Sequence, residues 1–150
     1  MGIETRRIED AGLARGIERL TPDRIAETFQ ALLAGETGAR LKTYVETCVR
    51  CGMCAPACHY CISHDGDPSY SPVGKVRQTM WELLRQGGRV EPRFLADCAQ
   101  IAYTECNLCR RCMHYCPLGI DTAYIMTVVR RLCSKLGMTP IYIQDTTHSH

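Results

Sequence analysis

No stretch of the chain approaches the roughly 18 consecutive apolar residues that a membrane-spanning helix requires, so a direct span is not expected. The N-terminus, MGIETRRIEDAGLARGIERL, lacks the apolar core of a signal peptide, and MGIETR ends in Arg where a myristoylation signal wants Ser or Thr. An excess of one charge is missing too. Lys and Arg number 18 against 16 Asp and Glu, interspersed, for a formal net charge of +2. That leaves neither a basic face for nucleic acid nor an acidic tail. Period-2 alternation, the signal of a half-buried strand, is not found anywhere. The expected location is therefore cytoplasmic, with any attachment to the inner face of a membrane made through a partner.

What the chain has in quantity is cysteine, 11 in 150 residues. The odd number would leave one thiol unpaired in a fully disulfide-bonded framework, and in a reducing cytosol clustered cysteines read as thiolate ligands. The length is that of about one domain, able to bury roughly two thirds of its unfolded surface.

Helix punctuation is legible along most of the sequence. Thr21 and Pro22 form a cap and first-turn pair for a helix whose apolar face is Ile25, Phe29, Leu32 and Leu33, closed by Gly35. A short helix over 37 to 46 carries Leu41, Tyr44 and Val45. After the turn-rich SHDGDPSY, Ser71 and Pro72 open a helix with the stripe Val73, Val76, Met80, Leu83 and Leu84, ended by Gly87-Gly88. Pro92 opens another through Phe94, Leu95, Cys98, Ile101 and Ala102. Asp121 caps a last helix with Ile125, Val128, Val129, Leu132 and Leu136 buried, Ile120 and Ile125 as a hydrophobic staple, and Gly137 with Pro140 as the stop. The expected fold class is all-α. Its expected division is an N-terminal arm over 1–20, partner-binding or loose, carrying Ile3, Ile8, Leu13 and Ile17. A dicluster domain then covers 21–140, and a tail over 141–150, TPIYIQDTTHSH at its widest, reads as the start of a following domain.

The chemistry lies in two runs, CVRCGMCAPACHYC and CNLCRRCMHYCP. The spacing C-x2-C-x2-C-x3-C occurs as Cys48, Cys51, Cys54, Cys58 and again as Cys106, Cys109, Cys112, Cys116, the latter followed by Pro117. This is the bacterial 4Fe-4S run, whose fourth cysteine serves the other cluster of a two-cluster protein. Two-residue gaps let three thiolates wrap one corner of a cubane, whereas the fourth is carried away along the departing chain. The expected ligand sets are Cys48, Cys51, Cys54 with Cys116, and Cys106, Cys109, Cys112 with Cys58. Structural zinc usually pairs two separated C-x2-C knuckles, and here four cysteines crowd each run. Cys61 stands as the rival to Cys58, because both runs contain His-Tyr-Cys. With about −2 on each bound oxidised cluster, the loaded protein moves from +2 to about −2.

Other residues are weighed against blander roles. Arg50, Arg110 and Arg111 either offset cluster charge or form a solvated face. Cys98 and Cys133 fall on apolar helix faces, where small buried thiols are common. A third site from Cys61, Cys98 and Cys133 would need His59 or His64 as a fourth ligand. His59 and His114 are candidate hydrogen-bond donors toward cluster sulfur, or plain surface histidines. Lys75 and Arg77 read as a docking face on a helix whose other side is core or, more simply, as a solvated face. His148 and His150 have no ligand spacing.

Compact α/β ferredoxins carry their two runs close together, but here 47 residues (59 to 105) with two capped helices separate Cys58 from Cys106. That favours an all-helical ferredoxin domain. The two runs, with DPSYSPVGKVRQTMWELLRQGG and AYTECNLCRRCMHYCPLGIDTAYIMTVVRRLC, resemble the two-cluster HdrC component of heterodisulfide reductase. They also resemble the N-terminal domain of the HdrD-like iron-sulfur proteins of sulfate-reducer membrane complexes. The resemblance covers roughly residues 40 to 140. It implies two 4Fe-4S clusters and an electron relay. It also implies a catalytic subunit or domain marked by Cys-Cys-Gly motifs, none of which occurs here, and an electron donor subunit at a membrane or in solution. No catalytic residue is expected in this chain. The alternative is an iron-sulfur redox sensor without a catalytic partner.

Overall fold

A computed structural model describes residues 9–148, and among them there is no strand. Helix α1 (Ala11–Arg19) starts at Asp10, whose Oδ1 accepts from the backbone amides of Gly12 (2.8 Å) and Leu13 (3.1 Å). The same carboxylate accepts from the amide of Ile141 at 3.0 and 3.2 Å, the first residue of α10 (Ile141–His148). One side chain thus supplies the orphan amides of two helices far apart in sequence. A Cβ on Gly12 would lie 2.5 Å from the carbonyl oxygen of Thr139, so only glycine permits this approach. From Ala11 onward the N-terminal segment is a packed helix, with Leu13 2% exposed and α1 lying on α10 and on α7 (Pro92–Thr104). Ile3 and Ile8 of the expected arm, and His150 of the tail, lie outside the described residues.

Helix α2 (Pro22–Leu32) is capped by Thr21 and buries Ile25, Phe29 and Leu32, and α3 (Glu36–Thr47) buries Leu41. Beyond the first cysteine run and the short α4 (His59–Ser63), the segment read as one uniform helix is interrupted. It consists of α5 (Pro72–Val76), a π turn over Arg77–Trp81, and α6 (Glu82–Arg85). Ser71 caps it through Oγ, and the hydroxyl of Thr79 donates to the carbonyl of Lys75 at 2.8 Å inside the π region. π turns widen the ladder by one residue and recur at functional sites. Gly88 then closes the segment at φ +80, where a Cβ would strike the Phe29 ring at 2.6 Å.

The core is organised on α7 and α9 (Thr122–Lys135), which pack together. Leu95, Ala96, Ala99 and Ala102 on α7 meet a fully buried set on α9 that includes Ile125, Met126, Val129 and Leu132. Small alanines let the two backbones approach, and each buried Leu or Ile contributes about 1.5–3 kcal/mol. Cys98 and Cys133 are 0% exposed in this core, as small hydrophobes. Burial pushes the Cys133 thiol up to about 12 and the Cys98 thiol well above its ordinary value. Arg130 on α9 donates through Nε to the carbonyl of Ala102 (2.9 Å) and through Nη2 to that of Cys106 (2.5 Å). Its charge meets the negative end of α7 and fixes the point where the second cysteine run departs.

Candidate iron-sulfur sites

Each cysteine run leaves a helix and winds through a loop of the same backbone shape. In the first run Arg50 (φ +57) and Gly52 (φ +79) flank Cys51 in the left-handed region. In the second, Leu108 (φ +61) and Arg110 (φ +62) flank Cys109 at the equivalent places. A non-glycine residue there costs about 1–2 kcal/mol, so three such residues in two matching loops mark a shape retained for its site. Alternating hands turn successive backbone amides toward one side, in the manner of backbone anion nests. Cys54 then leads into a 3₁₀ turn over Ala55–Ala57 and Cys58 caps α4. Cys112 lies in α8 (Arg111–Tyr115), and Cys116 ends it.

Two cavities result. One is lined by Cys58, Cys106, Cys109 and Cys112, with Lys75 and Arg110 on its wall. The other is lined by Cys48, Cys54 and Cys116, with Tyr44, Val73, Val76, Ile120 and Ile125. The fourth cysteine of each run therefore faces the cavity of the opposite run. Cys51 is solvent-exposed and outside both linings, and Cys112 and Thr122 belong to both, forming a shared wall. Among the described residues no three His, Cys, Asp or Glu side chains converge closely enough for a single metal ion. Thiols spread around a cavity suit a cubane, whose four irons each take one thiolate, better than mononuclear zinc.

Cys61 is 3% exposed, directed at the carbonyl of Asp67 (3.6 Å), and on neither cavity. Burial raises the Cys54, Cys106 and Cys112 thiols, the last to about 11. Donors work against that burial by favouring thiolate: the Val73 amide at Cys54, the Leu108 amide at Cys106 and the Thr122 hydroxyl at Cys112. These are the kind of hydrogen bonds to sulfur that tune a cluster. The sequence points to His59 and His114: His59 is exposed but lines the first cavity, whereas His114 is exposed and lines neither. His64 stacks on Tyr70 with ring centroids 3.6 Å apart and is a structural residue. Arg50 lies over the Trp81 ring, Arg110 pairs with Asp121 at 3.3 Å, and Arg111 is exposed.

Lys75 departs most from expectation. In place of a solvated face it is 2% exposed, and its Nζ donates to Cys58 Sγ at 3.3 Å and lies 4.8 Å from the Tyr60 ring centroid. A polar residue beside an apolar stripe reads as solvent-facing, but the lysine stem is itself apolar and its head here finds a sulfur. No pattern in the sequence signals that contact, because it joins residues 17 apart through a loop. Arg77 is exposed, as expected.

Residues 44–120, more than half of the chain, match the 4Fe-4S dicluster domain family, and the chain belongs to it. Its cofactors are two 4Fe-4S clusters, which fit the thiol sets at the two cavities. Among known proteins it is similar to the Hdr-like menaquinol oxidoreductase iron-sulfur subunit 2 of Archaeoglobus fulgidus. The two are 35% identical over 116 residues, covering 69% of this chain and 20% of the relative. It is also similar to the Hdr-like menaquinol oxidoreductase iron-sulfur subunit of Archaeoglobus profundus, 34% identical over 126 residues, 76% of this chain and 22% of that one. The chain thus spans about a fifth of the length of these relatives. No solved structure matches it.

Proposed function

We propose that this chain relays electrons one at a time through two 4Fe-4S clusters, as one portion of an Hdr-like oxidoreductase complex. The observation that carries this reading is the pair of thiol-ringed cavities with a common wall at Cys112 and Thr122. The clusters supply one-electron redox chemistry when bound. Attachment, proximity and exclusion of water are what the chain itself contributes. In this reading Cys48, Cys51, Cys54 and Cys116 hold one cluster, and Cys106, Cys109, Cys112 and Cys58 hold the other. The placement of Cys116 and Cys58 opposite their own runs supports the crossing, and the direction of Cys61 toward Asp67 supports Cys58 over it.

Electrons leave to a catalytic subunit or domain with Cys-Cys-Gly motifs. They arrive from a donor subunit at the membrane; the relatives are named menaquinol oxidoreductase subunits, so menaquinol is the proposed source. Among the described residues no helix is long and apolar enough to cross a membrane. Attachment at the cytoplasmic face is accordingly assigned to that donor partner. Iron and acid-labile sulfide analysis of anaerobically purified chain should give about eight of each per chain. Little iron with stoichiometric zinc would overturn the reading, and disulfide reduction by the isolated chain would overturn its division of labour.

A further inference from the structure

The two cavities hold similar sulfur but unlike charge. Around the one that contains Cys58, Cys106, Cys109 and Cys112, the wall carries the ammonium of Lys75, the guanidinium of Arg110 and the solvent-exposed imidazole of His59, and no carboxylate. Around the other, the side chains other than cysteine are Tyr44, Val73, Val76, Ile120, Thr122 and Ile125, none of them cationic. An ammonium almost sealed from water is costly by several kcal/mol unless an anion faces it. Here the polar atom it reaches is a cysteine sulfur, 3.3 Å away, with the electron-rich face of Tyr60 on a second side. Arg110 is mostly exposed and already paired with Asp121, so its influence is screened. Lys75 has no such dilution.

We propose that Lys75 sets the potentials of the two clusters apart. Its ammonium, donating to Cys58 Sγ, retains Cys58 as a ligand and makes the cluster on Cys58, Cys106, Cys109 and Cys112 the higher-potential member of the pair. The physical reason is that reduction adds one negative charge to that cluster, and a fixed, desolvated cation nearby stabilises the reduced state more than the oxidised one. The electron is then favoured on the Lys75 side of the common wall, which gives the relay a direction. Lys75 acts through Cys58 and is a positioning residue. The inference rests on the two-cluster relay proposed above.

The test is a reductive titration of the full chain followed by EPR, on the parent, Lys75→Met, Lys75→Gln, Lys75→Arg and Cys58→Ser. Two clusters of unequal potential are expected in the parent. In Lys75→Met and Lys75→Gln one signal should need a poise at least tenfold more reducing in the oxidised-to-reduced ratio, about 59 mV for a one-electron couple. The other should not move. Lys75→Arg should stay near the parent, and the signal that shifts must be the one altered in Cys58→Ser. If both neutral variants assemble a single cluster while Lys75→Arg assembles two, the charge at position 75 is what retains Cys58 as ligand, and the proposal stands. Unmoved or equally moved potentials in the neutral variants overturn it, as does loss of one cluster in all three variants. A parent with fewer than two clusters sinks the relay reading itself, a result visible before any variant is made.

Discussion

Cys58 and Cys61 are three positions apart, chemically identical and equally able to bind iron, yet their surroundings differ in kind. Cys58 meets the Lys75 ammonium on a cavity wall, whereas Cys61 is turned to a loop carbonyl. Replacing Cys58 by Ser is expected to lower iron from about eight to about four per chain, and Cys61→Ser to leave it at about eight, by iron assay on anaerobic protein. Cys98 and Cys133 differ again. Thiolate is the nucleophile, and burial holds Cys133 protonated up to about 12, so at pH 8 essentially none of it is ionised. Alkylation of the folded protein at pH 8 should therefore spare both, and denaturant should make both react as their values fall back to the ordinary thiol range. Mass spectrometry of tryptic peptides reads this directly; modification of either in the native state would contradict the packing.

The segment from Ser71 to Gly87 shows what helices contribute beyond side chains. Its stripe of Val76, Met80 and Leu83 faces the core as the apolar spacing requires, but the π turn at Arg77–Trp81 is invisible to a 3.6-residue template. Lys75 lies two residues before that turn, with Thr79 bonded back to its carbonyl. At the other end of the molecule, α1 and α10 depend on one carboxylate. Asp10→Ala removes an N-cap and the tie to Ile141 together, and should cost about 1–2 kcal/mol by chemical denaturation. Faster amide exchange should follow in α10 before α7 or α9, since α10 loses an anchor while the central pair keeps its core. Uniform exchange throughout would mean that Asp10 is not the anchor.

Over the whole molecule, the proposed exchange of fourth ligands would make the two cluster sites a single unit, since neither run would complete its set without the other. Ligands that are contributed by distant segments couple metal binding to folding. Stripping the clusters with chelator and oxidant is expected to lower Tm and to expose the loops over 48–58 and 106–118 to amide exchange. The α7–α9 core, whose apolar side chains other than Ala123 and Ile125 at the start of α9 lie off the cavity linings, should keep its protection. Removal of clusters with no change in Tm would show the sites to be independent of the fold. The wall shared at Cys112 and Thr122 is in keeping with the proposed crossing, since segments that trade ligands must lie side by side.

Helix boundaries were readable because their signals are local: Thr21, Ser71 and Asp121 accept from amides three residues on, and Pro22, Pro72 and Pro92 fill first-turn positions. Cluster type and number were readable for a similar reason, since thiolate spacing along the chain reflects how a cubane is wrapped. Packing of α1 against α7, the joint cap at Asp10, the π turn and the burial of Lys75 were not readable. Each depends on which distant atom fills the space beside a residue, and linear pattern carries no information about that. By itself the sequence determined an all-helical chain with two cysteine-bound sites. Only the tertiary structure decided that one of those sites has a buried cation at its sulfur and the other has none, because charge becomes specific to a site when folding removes the water that would screen it.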